Sequence, residues 1–306
     1  MFLEGDYMLD YVIKPFIVSE LFKLDKLYTM FHQTDDSGTS YVGESHDFWE
    51  CIYIKDGNPC ICVEGKVYEL KKGDLVFYKP MEFHQYHVDD GKKADMFLFS
   101  FSLAKCPPDF AMDTVYKLNS KQKEILKKIS GFADNATKST VFTEKEIASQ
   151  KSEYINYDYI KPLLAFSKNI SDMSTIVNHI EELFLDLYNT KNIVEETDSY
   201  HAGIYRNAVA YMTERISEKI TIPDIARHCS ISVPTLKNIF YQFTNTSVHR
   251  YFIHLKITQA IILLKNGASA YEASERIGFA SQAYFSVAFK RETGLTPREY
   301  INKYLS

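Results

Sequence analysis

The sequence has one tryptophan, five cysteines and no run of about 18 apolar residues. Lacking such a run, it is expected to have no membrane-spanning segment and no membrane partner. An odd number of scattered cysteines argues against a disulfide-stapled secreted fold and suits a reducing cytoplasm. The opening MFLEGDYMLDYVIK carries acids and lacks a basic segment followed by an apolar one, so export is not expected. Cys60 and Cys62 lie two apart, with no second Cys/His pair at finger-like spacing. They read as small core residues rather than a metal pair, and no cofactor is expected.

What the sequence does have is an ordinary globular balance, 45% hydrophobic and 25% charged, over 306 residues. That length calls for two or three domains. The charges are unevenly placed: from His201 onward the net charge is +6, whereas the preceding part carries −11. A basic final third on an acidic body suits a polyanion-binding module attached to a part that stays off the polyanion.

Residues 1–40 show no firm periodicity. From Tyr41 to about Ser102 the pattern is β, with runs at Phe48–Ile54, Cys60–Val63, Val67–Leu70, Leu75–Tyr78 and Met96–Phe101. Asp-Gly, Glu-Gly and Lys-Gly-Asp signals separate them, which predicts an antiparallel barrel or jelly roll at about 30–105. Side chains two apart share a strand face, so Glu44, His46 and Glu50 point together. With His84 they form a candidate polar set, and Trp49, Tyr53, Phe77, Tyr78 and Phe83 offer apolar or stacking surface. Three uses stay open for Glu44, His46, Glu50 and His84: recognition of a small ligand, surface or satisfied core polarity, and a carboxylate–imidazole metal site. His87 reads as solvent-facing. The irregular stretch 107–117 leads to a helix at Leu118–Asp134 with Ser120 as its cap. Residues 143–169 are helical with less definition. Ser174–Tyr188 then carries an apolar stripe at three-four spacing, expected to pack on its own domain and second to meet a partner helix. The polar KNIVEETDSYH, 191–201, reads as a linker between domains 1–190 and 202–306.

The final hundred residues repeat a helical hairpin. In the second copy a short helix at about Tyr271–Ile277 stops at Gly278, Ser281 caps the next helix, and Tyr284, Phe285 and Phe289 form its inner side. In the first copy Asp224–His228 leads through Ser230–Ser232 into Val233–Phe243, without a turn glycine. The helix starts at Ser232 and Ser281 lie 49 residues apart, joined by a long helix at Val248–Lys265. Such a helix, ~27 Å long at 1.5 Å per residue, can hold two readers over successive major-groove faces ~34 Å apart. The outer faces offer Thr235, Lys237, Asn238 and Gln242 in the first copy. The second offers Ser281, Gln282, Ser286, Val287, Lys290 and Arg291. Asn or Gln can pair with adenine, and the cations suit phosphate.

IGFASQAYFSVAFKRETGLTPREY resembles the signature of the AraC/XylS family of bacterial transcription regulators, through Ile277, Gly278, Phe279, Ser281, Tyr284, Phe285, Phe289, Lys290, Gly294, Pro297 and Tyr300. Gly38, Glu44, His46, Glu50 and Gly57 are similar to the first cupin motif, with Glu44 at a position often held by histidine. Gly73, Asp74, Pro80 and His84 resemble the second, with its inner glycine replaced and its spacing altered. The resemblance implies an α+β chain: an N-terminal cupin-like barrel with following helices at about 118–190, then an all-α domain with two helix-turn-helix motifs. Asn238 and Val287 stand where relatives often carry arginine, which favours A·T-rich or shape-based recognition. The implied function is a non-enzymatic, ligand-controlled regulator of transcription, an activator by preference. Its implied partners are double-stranded DNA, a small effector (a sugar by preference), a second copy of the chain and RNA polymerase. The rival readings are a metal-dependent cupin enzyme with a structural tail, and a constitutive DNA binder whose barrel only dimerises.

Overall fold

The computed structural model describes residues 20–36, 38–39, 43, 45–89, 91–110, 115–140, 157–190 and 192–304. Eight strands come first: β1 Lys23–Asp35, β2 Trp49–Gly57, β3 Cys60–Val63, β4 Lys66–Glu69, β5 Asp74–Tyr78, β6 His84–His87, β7 Ala94–Lys105 and β8 Val115–Lys117. They pair antiparallel in a five-stranded sheet of order β1-β7-β2-β5-β8 and a three-stranded sheet of order β4-β3-β6. Alternation along each strand sorts its side chains into two cores. Ile52, Ile54, Val76, Met96 and Leu98 of the large sheet meet Ile61, Val63, Tyr86 and Val88 between the sheets. Their neighbours Cys51, Phe77, Phe97, Phe99 and Phe101 face the other way, onto helices.

Those helices are α1 Ser120–Ser139, α2 Tyr157–Ser167 and α3 Ile170–Thr190. The α3 stripe Ile176, Ile180, Leu183, Phe184 and Leu187 is buried against the large sheet, so the first of its two expected uses is the one observed. The cap of α1 is Asn119 rather than Ser120: its side chain accepts from the Gln122 amide at 2.9 Å, and Gln122 returns the bond. Strand β1, which showed no clear pattern in sequence, pairs along β7. The expected helical stretch at 143–156 lies outside the described residues.

The 192–197 segment is no free tether. Ile193 bridges Tyr116, the Val194 amide donates to the Val115 carbonyl at 2.9 Å, and the Thr197 amide donates to the Val67 carbonyl at 2.7 Å. It thus hydrogen-bonds to β8 of one sheet and β4 of the other. Seven helices follow: α4 Tyr200–Glu214, α5 Ile222–His228, α6 Val233–Thr244, α7 Val248–Lys265, α8 Ala270–Arg276, α9 Gln282–Thr293 and α10 Pro297–Tyr304. They do not form a separate body. One core joins Cys60, Cys62, Val67 and Phe83 of the strands to Tyr205, Val209, Phe240, Phe243 and Tyr251 of the helices.

Candidate nucleic-acid interface and sensor site

The two hairpins, α5–α6 and α8–α9, are built alike. In the first, the Ser230 amide donates to Arg227 at 3.1 Å and the Ile231 amide to Ala226 at 3.0 Å. In the second, Gly278 donates to Glu275 at 3.0 Å and Phe279 to Ser274 at 3.1 Å. Gly278 has φ +70°, and Ser230 takes the same left-handed turn at φ 57°. The turn missing its glycine is therefore made by a serine. Ser232 and Ser281 cap α6 and α9, each accepting from the backbone amide three residues on at 3.2 Å.

Leu236, Ile239, Phe240 and Phe243 are buried on α6, as Phe285, Ala288 and Phe289 are on α9. Lys237, Asn238, Gln242, Gln282, Val287, Lys290 and Arg291 are exposed, while Thr235 and Ser286 are half-buried. The Thr235 hydroxyl is bonded to that of Ser232 at 2.7 Å, and the Ser286 hydroxyl donates to the Gln282 carbonyl at 3.0 Å. Two of the exposed residues have partners within the chain, and one position, Tyr284, corrects the reading by helical face. Gln242 turns to His201, 3.2 Å away, in a cleft against the strand domain. Arg291 bonds Glu292 at 3.0 Å beside the strand-domain residues Gly43 and Ser45. Tyr284 lies outside, 40% exposed against Phe279. Helical spacing also puts Tyr241, 65% exposed, on the face of Lys237 and Asn238. The sequence gives no sign of this, because an aromatic at that position reads as core.

Helix α7 carries both hairpins and is buried almost all round. Lys256, at its middle, donates to the Ile277 carbonyl at 2.7 Å and to the Glu218 carbonyl at 3.3 Å. Burial pulls its pKa from 10.5 to about 8. One side chain thus ties the end of α8 to the loop before α5.

In the strand domain His46, Glu50 and His84 come together, with one donor atom from each lying within 4.8 Å of the others. Glu50 precedes Ile52 and Ile54 on the inner face of β2, opposite Tyr78 and Ser100. Nδ1 of His46 donates to the Phe48 carbonyl at 2.8 Å, and Nδ1 of His84 to the Glu82 carbonyl at 3.0 Å. Each ring therefore turns Nε2 towards Glu50 Oε2, at 3.7 Å for His46 and 3.3 Å for His84. The ring planes are fixed by stacking, His46 on Phe48 and His84 on Tyr78, both with centroids 3.9 Å apart. Burial pushes the Glu50 carboxyl up, but the two imidazoles beside it outweigh that and bring it to about 2. His84 Nε2 is buried and lies 3.3 Å from Glu50 Oε2. Two nitrogens and one carboxylate oxygen form a donor set that fits a first-row divalent cation.

Of the other expected ligand-site residues, Glu44 lies outside the described residues. Trp49 does not join the cluster: strand alternation sends it to the opposite face, beside Phe101 and Phe110. Phe77 shares that face, whereas Tyr78 is inside and Phe83 meets α7. His87 is only partly exposed, paired with Asp89 at 3.4 Å. Cys60 and Cys62 are core, and the Cys62 thiol donates to the Phe243 carbonyl at 3.0 Å.

Two family models match stretches of the chain. A helix-turn-helix domain model matches residues 225–303, and a model of the AraC-like ligand binding domain matches residues 29–107. The HTH-type transcriptional activator RhaR of Cronobacter sakazakii is 24% identical over 270 residues, covering 84% of this chain and 86% of that protein. The activator RhaS of Escherichia fergusonii is 23% identical over 260 residues, covering 83% and 85%. Among solved structures, ToxT from Vibrio cholerae covers 93% of this chain and 98% of its own at 12% identity and a TM-score of 0.37. RhaR and RhaS are regulators of transcription, not enzymes, and the enzyme alternative falls with that.

Proposed function

Since the chain belongs to the AraC/XylS family of transcription regulators, we propose that it is a sequence-specific activator whose two hairpins read one DNA duplex under the control of a small molecule sensed by the strand domain. The observation carrying this reading is that two hairpins of like geometry hang from one buried helix with their outer faces exposed. Lys237, Asn238 and Tyr241 supply the face in one hairpin, and Gln282, Val287 and Lys290 in the other. At 18 residues α7 spans ~27 Å, and successive major-groove faces of B-DNA lie ~34 Å apart. Lys237 and Lys290 hold phosphate, which positions without specifying, while Asn238 and Gln282 read base edges. The effector is a small polar molecule, a sugar by preference. It acts only so far as its affinity differs between two arrangements of the domains. The reading places the protein in the cytoplasm and includes contact with RNA polymerase. It also includes a homodimer whose interface avoids the α3 stripe, already used within the chain.

Titration of variants against matched and scrambled operators at several salt concentrations tests it. Asn238→Ala is expected to lose affinity for the matched site, about 1–3 kcal/mol, and little for the scrambled one. Lys290→Ala is expected to weaken both alike and reduce the salt slope by about one. Equal losses on both DNAs for Asn238→Ala would remove it as a base reader. A wild-type operator affinity indifferent to every effector would favour the constitutive binder.

A further inference from the structure

We infer that Lys256 is a positioning residue: it locks the two hairpins to each other and so fixes the separation at which they engage one duplex. The consequence for DNA rests on the proposed function, whereas the lock itself does not.

Helix α7 serves two bodies. Val248, Tyr251, Phe252 and Leu255 pack into the core that holds Leu236 and Phe240 of the first hairpin. Ile253, Ile257, Ala260, Ile261 and Leu264 pack into a separate core with Phe285 and Phe289 of the second. Lys256 falls where these two sets meet. Sharing one helix keeps the bodies in register along it. Apolar contacts are non-directional, however, and leave their mutual tilt loosely set.

The bodies touch where the loop between α4 and α5 lies against the turn between α8 and α9. The approach is close: a Cβ added to Gly278 would stand 1.9 Å from the Ser217 carbonyl oxygen. The Lys256 ammonium sits in this seam, 5% exposed, and takes a carbonyl and a ring from each side. It donates to the Glu218 carbonyl at 3.3 Å and to the Ile277 carbonyl at 2.7 Å. Phe252 of the first core lies 4.9 Å from Nζ and Phe279 of the second 5.8 Å. Ile277 ends α8, so its carbonyl has no intrahelical donor and stands at the negative end of that helix. Burying an ammonium is costly unless other dipoles replace its water, as the carbonyls and ring faces do here. Hydrogen bonds depend on distance and angle, so the cation holds both loops in one geometry. An apolar side chain of similar length would fill the space and leave the tilt free. Along a duplex each base pair turns the groove by roughly 34°. The tilt between α6 and α9 therefore sets which sub-site separation fits.

Two measurements on the full-length protein test this. The first is a pulsed electron-spin distance between labels at Tyr241→Cys and Val287→Cys, both exposed positions. Cys106 and Cys229, the cysteines that are not fully buried, are replaced by serine for it. We expect a narrow distance distribution with Lys256, a wider one with Lys256→Met, and a narrow one again with Lys256→Arg, which keeps charge and donors. Lys256→Gln, too short to reach both carbonyls, is a second variant without the lock and guards against misfolding of the first. In the second measurement each unlabelled protein selects duplexes from a random pool. Wild type and Lys256→Arg should enrich two sub-sites at one separation. Lys256→Met should enrich the same sub-sites over separations spread by about one or two base pairs. Inserting one base pair into the wild-type site should cost wild type about tenfold in affinity and this variant much less. A merely structural role would lower stability and affinity alike at every separation. A broad wild-type distance distribution, or equal widths in both variants without the lock, overturns the lock whatever the DNA shows. Wider distributions with an unchanged separation overturn its use in reading. A protein that shows the lock and enriches no sequence defeats the regulator reading and leaves the lock standing.

Discussion

Ser230 occupies backbone that costs a non-glycine residue roughly 1–2 kcal/mol, and the matching position in the second hairpin is Gly278. Ser230→Gly is therefore expected to be neutral or stabilising by up to about 1 kcal/mol, because part of the relief is lost to a more flexible unfolded chain. Gly278→Ala should cost about 2 kcal/mol or more, since an added Cβ would run into the Ser217 carbonyl oxygen as well as strain the backbone. Urea midpoints of the two variants check both signs. Lys256 gives a pH signature. Its folded pKa of about 8 lies below its ordinary 10.5, so between these values the unfolded chain binds the extra proton. Its contribution to stability should rise with pH from about 8 to 10.5. The difference in unfolding free energy between wild type and Lys256→Met, followed over that window, should show the slope.

Among the elements, the end of α6 is finished by the other domain. The Phe243 carbonyl lies in the last turn, where no intrahelical donor reaches it. Gln85 Nε2 donates to it at 2.9 Å and the Cys62 thiol at 3.0 Å. Gln85→Leu should cost about 1–2 kcal/mol and fray that turn, seen as faster exchange of the 242–245 amides. Such a cap could not be read from the sequence, because Gln85 and Phe243 are 158 residues apart and only docking relates them. What was legible was local. The hairpin helices follow from Ser232 and Ser281 as caps and from Phe240, Phe285 and Phe289 as core. His46, Glu50 and His84 were legible as a set, although His46 lies in the loop before β2 and not on a strand face, whereas Trp49 belongs on the other side because adjacent strand residues face opposite ways. Strand β1 hid because its burial is partial and uneven, one face of it being covered by α2 through Phe31 and Tyr159. Tyr284 was misjudged since the aromatic cluster it borders leaves its ring at the rim.

For the whole molecule, the shared core of strand and helix residues predicts joint unfolding. Val209 of α4 packs over Gly65 in the turn between β3 and β4, and Phe83 is wedged on α7. Calorimetry should find one transition whose van't Hoff and calorimetric enthalpies agree. Two resolved transitions would mean that the domains hold together more weakly than this packing implies.

Segment 192–197 bears on how the protein can be divided. Because it occupies hydrogen-bonding groups of β8 and of β4, a sensor fragment ending at residue 190 would bare two sheet edges at once. Bare edges recruit strands from neighbouring molecules. A fragment carried through Asp198 keeps those two edges covered, and it should aggregate less than the shorter piece, although both bare the core shared with the helices.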